Sequence, residues 1–284
     1  MGTEVDRKKI LSFWEKTPHF FHEEAAFPPG SAEYFQAQRR ALIEQGFLGE
    51  LDPRLFPERQ NGLMLDLGCG SGFWTVEFLT SGKANNVVSS DLTFNALKIT
   101  RQRLAVNQVN AKLVQADAES IPFAANRFGH VNCLSVIHYA PEPEKCLAEI
   151  ARVLKPGGVG VISVYYRNIF LRNWQVVQRL GRLMAKIGAK FLGNQVLAIL
   201  AQTEADRVVC LYDGVHNPSS RAFSQAELLA MINPYFEVEE IFFHSFPIWV
   251  LSISLPRGVH RWFDRNFPFM IFIKMRKKDK ISQT

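Results

Sequence analysis

The segment Leu63-Met64-Leu65-Asp66-Leu67-Gly68-Cys69-Gly70-Ser71-Gly72-Phe73-Trp74-Thr75 constrains this chain more than any other. An apolar run carrying an acid breaks into three glycines at alternate positions, and a helix-forming stretch follows at once. Glycine supplies the left-handed backbone that a tight turn demands. The segment therefore predicts a strand, a sharp turn and a helix N-terminus, whose outward-pointing amides favour an anionic group.

The same unit recurs downstream. Residues 86–91 carry Val87 and Val88 and close on Asp91, which predicts a second parallel strand. Residues 93–106 read as a helix with Thr93 as N-cap. Residues 111–116 and 128–136 read as the third and fourth strands. Pro143 suits the first turn of a helix that runs to 154 and closes at Lys155-Pro156-Gly157-Gly158, and residues 159–164 read as a fifth strand. Strands alternating with helices of this length imply a doubly wound α/β sheet. Ser224-Gln225-Ala226-Glu227 is a capping box that opens a later helix. Residues 236–243 and 267–274 read as two closing strands, an antiparallel pair at the sheet edge. The expected division is a helical lid over 1–60, the sheet core over 61–165, a helical insertion over 166–220, and a helix with edge strands over 221–284.

Three acids, Asp66, Asp91 and Asp117, close successive strands on one edge of that sheet. At the end of the second strand a carboxylate can accept both hydroxyls of a ribose. At the end of the third, Asp117 and Ala118 offer an adenine one acceptor and one backbone donor. The plainer alternatives are helix caps for the acids and a turn that binds nothing for the glycines. A nicotinamide turn requires its third glycine where this chain has Phe73, and a phosphate loop requires a Gly-Lys-Ser/Thr that does not follow.

Leu65 to Gly72, Asp91, Gln115-Ala116-Asp117-Ala118-Glu119, Ile121-Pro122-Phe123, Phe128 and Leu154-Lys155-Pro156-Gly157-Gly158 resemble class I S-adenosylmethionine-dependent methyltransferases. The resemblance covers about residues 60–165 and is nearest to the branch of ubiquinone, menaquinone and other small-molecule methyltransferases. It implies a Rossmann-like seven-stranded sheet with S-adenosyl-L-methionine across the carboxyl ends of its first strands. By position it implies Gly68, Cys69 and Gly70 at the methionine part, Asp91 at the ribose, and Asp117 and Ala118 at the adenine, with Asp66 and Leu92 also among the cofactor-binding residues. Ser135 and His138 would face the methyl group.

Methyl transfer to a nucleophile is an in-line displacement. It requires a base only when the acceptor carries a proton, in which case base assistance contributes on the order of 100- to 10,000-fold. His138, just past the fourth strand, and His216, in a turn-rich segment after the insertion, are the candidates; the plain alternative for each is an ordinary loop histidine. Oxygen is the first expectation for the acceptor atom, with carbon or nitrogen next. The region after the fourth strand lacks the Asp/Asn-Pro-Pro-aromatic motif of many enzymes that methylate base amines, which disfavours nucleic acid. The expected acceptor is a hydrophobic small molecule under an aromatic lid of Trp14, Phe20, Phe21, Phe27 and Tyr34 with Phe170 and Trp174. An RNA or protein methyltransferase and a non-catalytic cofactor-binding scaffold are the alternatives.

Cys69, Cys133, Cys146 and Cys210 are dispersed with no close pair, which argues against a metal or disulfide framework and fits a reducing cytoplasm. The charged N-terminus lacks the apolar core of a signal peptide, and no apolar run approaches the roughly 18 residues of a span. The net charge of +6 is matched by one segment alone: residues 166–203 hold six basic residues and no acid. Its apolar residues recur near helical spacing. It reads either as a helix for a membrane surface or anionic partner, or as a cap helix with a merely solvated basic face. Trp262, Phe263, Phe267 and Phe269 among Arg257, Arg261 and Arg265 share that ambiguity.

Overall fold

The computed structural model describes residues 7–16, 26–58, 62–186, 194–213, 217–246 and 256–279. Seven strands form one sheet in the order β3-β2-β1-β4-β5-β7-β6. They are β1 (Leu63–Leu67), β2 (Asn86–Asp91), β3 (Lys112–Gln115), β4 (Phe128–Leu134), β5 (Leu154–Tyr165), β6 (Phe236–His244) and β7 (Met270–Lys277). The first five run parallel, and β7 inserts antiparallel between β5 and β6. The sheet therefore has the expected class and strand number, with the closing pair as its antiparallel edge.

Helices α3 (Phe73–Thr80), α4 (Phe94–Val106) and α5 (Pro143–Val153) fill the crossovers. Thr93 caps α4 by accepting from the Ala96 amide. The side-chain period of two decides what each residue of β1 meets. Leu65 and Leu67 join the core built with Cys146, Leu147 and Ile150 of α5. Met64 packs with Phe78 of α3, and Asp66 shares that face. Strand β4 ends at Leu134 because Ser135 takes φ +58°, two residues earlier than the sequence pattern implies. The 155–158 stretch is the start of β5 rather than a separate turn, joined to β4 through an irregular register.

Among the described residues two α-helices precede the sheet, α1 (Arg7–Lys16) and α2 (Ala32–Ala41). Between β5 and residue 220 the described residues form α6 (Ile169–Arg172), α7 (Trp174–Lys186), α8 (Asn194–Ala201) and α9 (Ala205–Asp213). Gly181 lets α8 lie against α7, since a Cβ there would stand 2.5 Å from Leu200 Cδ2. The indole of Trp174 donates to Gln202 O at 2.9 Å. The capping box at Ser224 and Glu227 forms as expected and opens α10 (Gln225–Ile232). Helix α11 (Arg257–Asn266) precedes β7. Among the described residues no helix is long and apolar enough to cross a membrane.

Candidate active site

The three glycines of the β1–α3 turn all take positive φ: +73° at Gly68, +54° at Gly70 and +78° at Gly72. Two of them are also sterically obligatory. A Cβ on Gly68 would stand 2.2 Å from Val136 Cγ2, and one on Gly72 would stand 2.8 Å from Thr100 Cγ2. The turn is tied to β2 by the Gly68 and Cys69 amides, which donate to Ser90 O at 2.7 and 2.9 Å. Asp91, at the end of β2, accepts from the Gly70 amide and from the Thr93 amide and hydroxyl, each at 2.9 Å. Burial raises the Asp91 carboxyl above its usual value, and these donors oppose the shift.

Two cavities open at this turn. The first, about 940 Å³ with its open mouth, is lined by Gly68, Gly70, Asp91, Leu92, Asp117 and Ala118, among others. Helix α1 closes one side of it through Arg7, Ile10 and Trp14. The second, about 1190 Å³ including its mouth, is walled by Phe47, Phe73, Trp74, Tyr165, Phe269 and Phe272. Gly68, Gly70, Ser135 and Tyr139 line both. The Tyr139 and Tyr165 hydroxyls lie 3.3 Å apart at the second cavity.

Most of the residues expected at a cofactor site meet in the first cavity: Gly68, Gly70, Asp91, Leu92, Asp117, Ala118 and Ser135. Cys69 lines the second. Asp66 lines neither, because its place in the β1 alternation turns it under α3. There it is 1% exposed and accepts from Thr75 Oγ1 at 2.6 Å and Asn132 Nδ2 at 2.9 Å. Burial pushes its carboxyl up to about 6. The expected row of three acids is thus a pair at the cavity with a third that braces the turn from behind.

His138 is 1% exposed and lines neither cavity. Its ring sits between those of Tyr139 and Tyr165, with centroids 4.0 and 4.2 Å away. Burial lowers its pKa to about 3, so it is neither placed nor poised to take a proton from a bound acceptor. His216 lies outside the described residues. The expected aromatic lid is differently distributed. Trp14 packs on Tyr139 at 4.8 Å between centroids, whereas Tyr34 is buried with Phe35 and Ile99. Trp174 belongs to the core, Phe170 lies against Phe267, and Phe20 and Phe21 fall outside the described residues.

Sequence reasoning missed two features. Arg7 reaches from α1 to Glu119 and to within 3.5 Å of Asp117 Oδ2, fastening α1 across the first cavity. Nothing in the local pattern points to a partner 112 residues away. Beside the second cavity, His244 Nε2 lies 2.9 Å from Asp52 Oδ2 and His244 Nδ1 lies 3.5 Å from Asp264 Oδ2. Arg54 also binds Asp52, at 2.6 Å. Burial alone would lower the His244 pKa, but Asp264 and Asp52 outweigh it and the net shift is upward.

A family model described as a methyltransferase domain matches residues 65–162. An uncharacterised chloroplastic methyltransferase of Arabidopsis thaliana is 32% identical over 144 residues, 47% of this chain and 41% of that protein. The demethylmenaquinone methyltransferase of Staphylococcus carnosus is 33% identical over 131 residues, 43% of this chain and 54% of the relative. The chain thus spans about half the length of these curated relatives. Among solved structures, a SAM-dependent methyltransferase from Methanosarcina mazei aligns with TM-score 0.54 at 18% identity, covering 81% of this chain and all of that one. At that identity the likeness speaks for the fold.

Proposed function

We propose, for a chain that carries a class I S-adenosylmethionine-dependent methyltransferase core, that it moves the methyl group of S-adenosyl-L-methionine to an apolar, ring-bearing small molecule. The observation that carries this reading is the wall shared by the two cavities: Gly68, Gly70, Ser135 and Tyr139 border both. A donor in one cavity and an acceptor in the other meet at that wall.

The first cavity fits the cofactor by its backbone and its charges. Gly68 and Gly70 border it with backbone held at positive φ. Asp91 already uses three of the roughly four acceptor positions of a carboxylate. It keeps one for a ribose hydroxyl, and a second hydroxyl shares the Gly70 or Thr93 position. Asp117 keeps its Oδ2 for an adenine amine once Arg7 yields, and the amide of Ala118 is the backbone donor beside it. When bound, the cofactor supplies an electrophilic methyl on a positively charged sulfur.

The protein's own part is alignment and exclusion of water, which together supply roughly 7–11 kcal/mol when reacting atoms are well oriented. The aromatic walls of the second cavity hold a flat apolar ring, and the Tyr139 and Tyr165 hydroxyls orient a polar group on it. Oxygen is the acceptor atom of the first reading. Carbon of a quinone-type ring is the second, favoured by a Cronobacter sakazakii relative named as a ubiquinone/menaquinone biosynthesis C-methyltransferase. His138 takes no part as a base; His216 is tested by substitution. The deciding experiment incubates the purified chain with methyl-labelled S-adenosylmethionine and a panel of quinols, phenols and nonaromatic alcohols. A ring acceptor is expected to gain one CH2. Tight cofactor binding with no transfer to any of them would leave the scaffold reading in its place.

A further inference from the structure

Helix α7 has two apolar faces. Trp174 and Val177 turn inward with Leu200 of α8. Val176, Leu180, Leu183 and Met184 turn outward, with Val176, Leu180 and Leu183 each 56–58% exposed. Their spacing of i, i+4, i+7 and i+8 puts them on one stripe. On the same helix surface, exposed Arg179 and Lys186 flank that stripe. Single exposed apolar residues need no explanation, but a continuous stripe does.

Exposed apolar residues also stand on the elements beside α7 in the chain. Ile169 and Phe170 of α6 are also exposed. The Phe170 ring packs on Phe267 at 4.9 Å, and Phe267 packs on Trp262 of α11 at 5.7 Å. Trp262 is itself 54% exposed, with Val259 near it in sequence and Arg261 and Arg265 alongside. The whole 166–203 segment contains no Asp or Glu. Apolar and aromatic side chains within a field of cations match one kind of surface: acyl chains beneath an anionic headgroup layer.

We propose that α6, α7 and α11 form a docking surface for an anionic lipid bilayer. The cations draw the face to the headgroups, and Val176, Leu180, Leu183 and Trp262 enter the acyl boundary. The location also deepens the proposed acceptor chemistry and in that respect rests on it. Phe267 is half-buried beneath Phe170 and Trp262, and Phe269, two residues on, walls the second cavity. Asn168, which caps α6, donates to Pro268 O at 3.0 Å between them. An acceptor dissolved in the bilayer would enter the aromatic cavity without crossing water.

The test is flotation of the full chain with vesicles of phosphatidylglycerol and phosphatidylcholine, and with phosphatidylcholine alone. The wild type is expected to float with the anionic vesicles, less as salt rises, and weakly with the neutral ones. Leu180→Glu with Leu183→Glu should lower that partition by about tenfold or more, and Arg179→Gln with Lys186→Gln by about tenfold. Circular dichroism and cofactor binding should stay as in the wild type. The charge pair also guards against misfolding of the apolar pair. Three results would overturn the proposal. Wild type could remain unbound to anionic vesicles, or both folded variants could float like wild type. Alternatively, light scattering could show a dimer that the Leu180/Leu183 variant dissociates, which would assign the stripe to a second copy. The readout contains no methyl transfer, so this surface and the proposed reaction fail separately.

Discussion

Asp91→Ala removes an acceptor that serves the Gly70 and Thr93 amides as well as the proposed ribose. Cofactor affinity is expected to fall by about 1–3 kcal/mol, measured by calorimetry; an unchanged affinity would move the ribose elsewhere. His138 makes the opposite case. Both of its ring nitrogens are buried without a hydrogen-bond partner, and its depressed pKa keeps it neutral. His138→Phe keeps the ring between Tyr139 and Tyr165 and discards two unsatisfied polar atoms. It should raise stability by about 1 kcal/mol and leave turnover within a few-fold; a hundredfold loss would restore His138 to proton transfer. The acids of the site were legible in the sequence because strand ends are marked by composition. Which acids face the cavity was not, because a one-residue step along β1 exchanges the α5 face for the α3 face.

The β1–α3 turn was legible as an element for a different reason: alternate glycines leave few other conformations. Its partners were not legible, since Val136 and Thr100 lie far along the chain. They make the turn testable. Gly68→Ala places a Cβ 2.2 Å from Val136 Cγ2 in a φ +73° residue, so cofactor binding should be lost. Adding Val136→Ala removes the 2.2 Å contact and leaves one of 3.3 Å to the Cβ of residue 136 together with the backbone strain, and partial recovery of binding is expected. No recovery would mean that strain alone decides. Helix α1 and its Arg7 contacts belong to the other extreme. The helix is short and charged, and its docking is set by acids that arrive in the chain more than a hundred residues later.

At the scale of the molecule, His244 links three remote pieces: Asp52 before the sheet, its own strand β6, and Asp264 of α11. Arg54 completes the cluster through Asp52. A raised histidine pKa means that the folded state holds its proton more tightly than the unfolded chain. That stabilisation is complete below the ordinary value of 6.5 and disappears as pH rises through the raised folded value. The melting temperature should therefore decline across that window, and His244→Gln should flatten the decline; an equal slope in both proteins would remove His244 as its source. The sheet carries one more consequence. Strand β7 occupies the slot between β5 and β6 although it is made after both. During synthesis β5 must wait with an unpaired, buried-type rim until Met270 and its successors clear the ribosome, so a nascent chain halted just short of them should be sticky and a preferred client of chaperones.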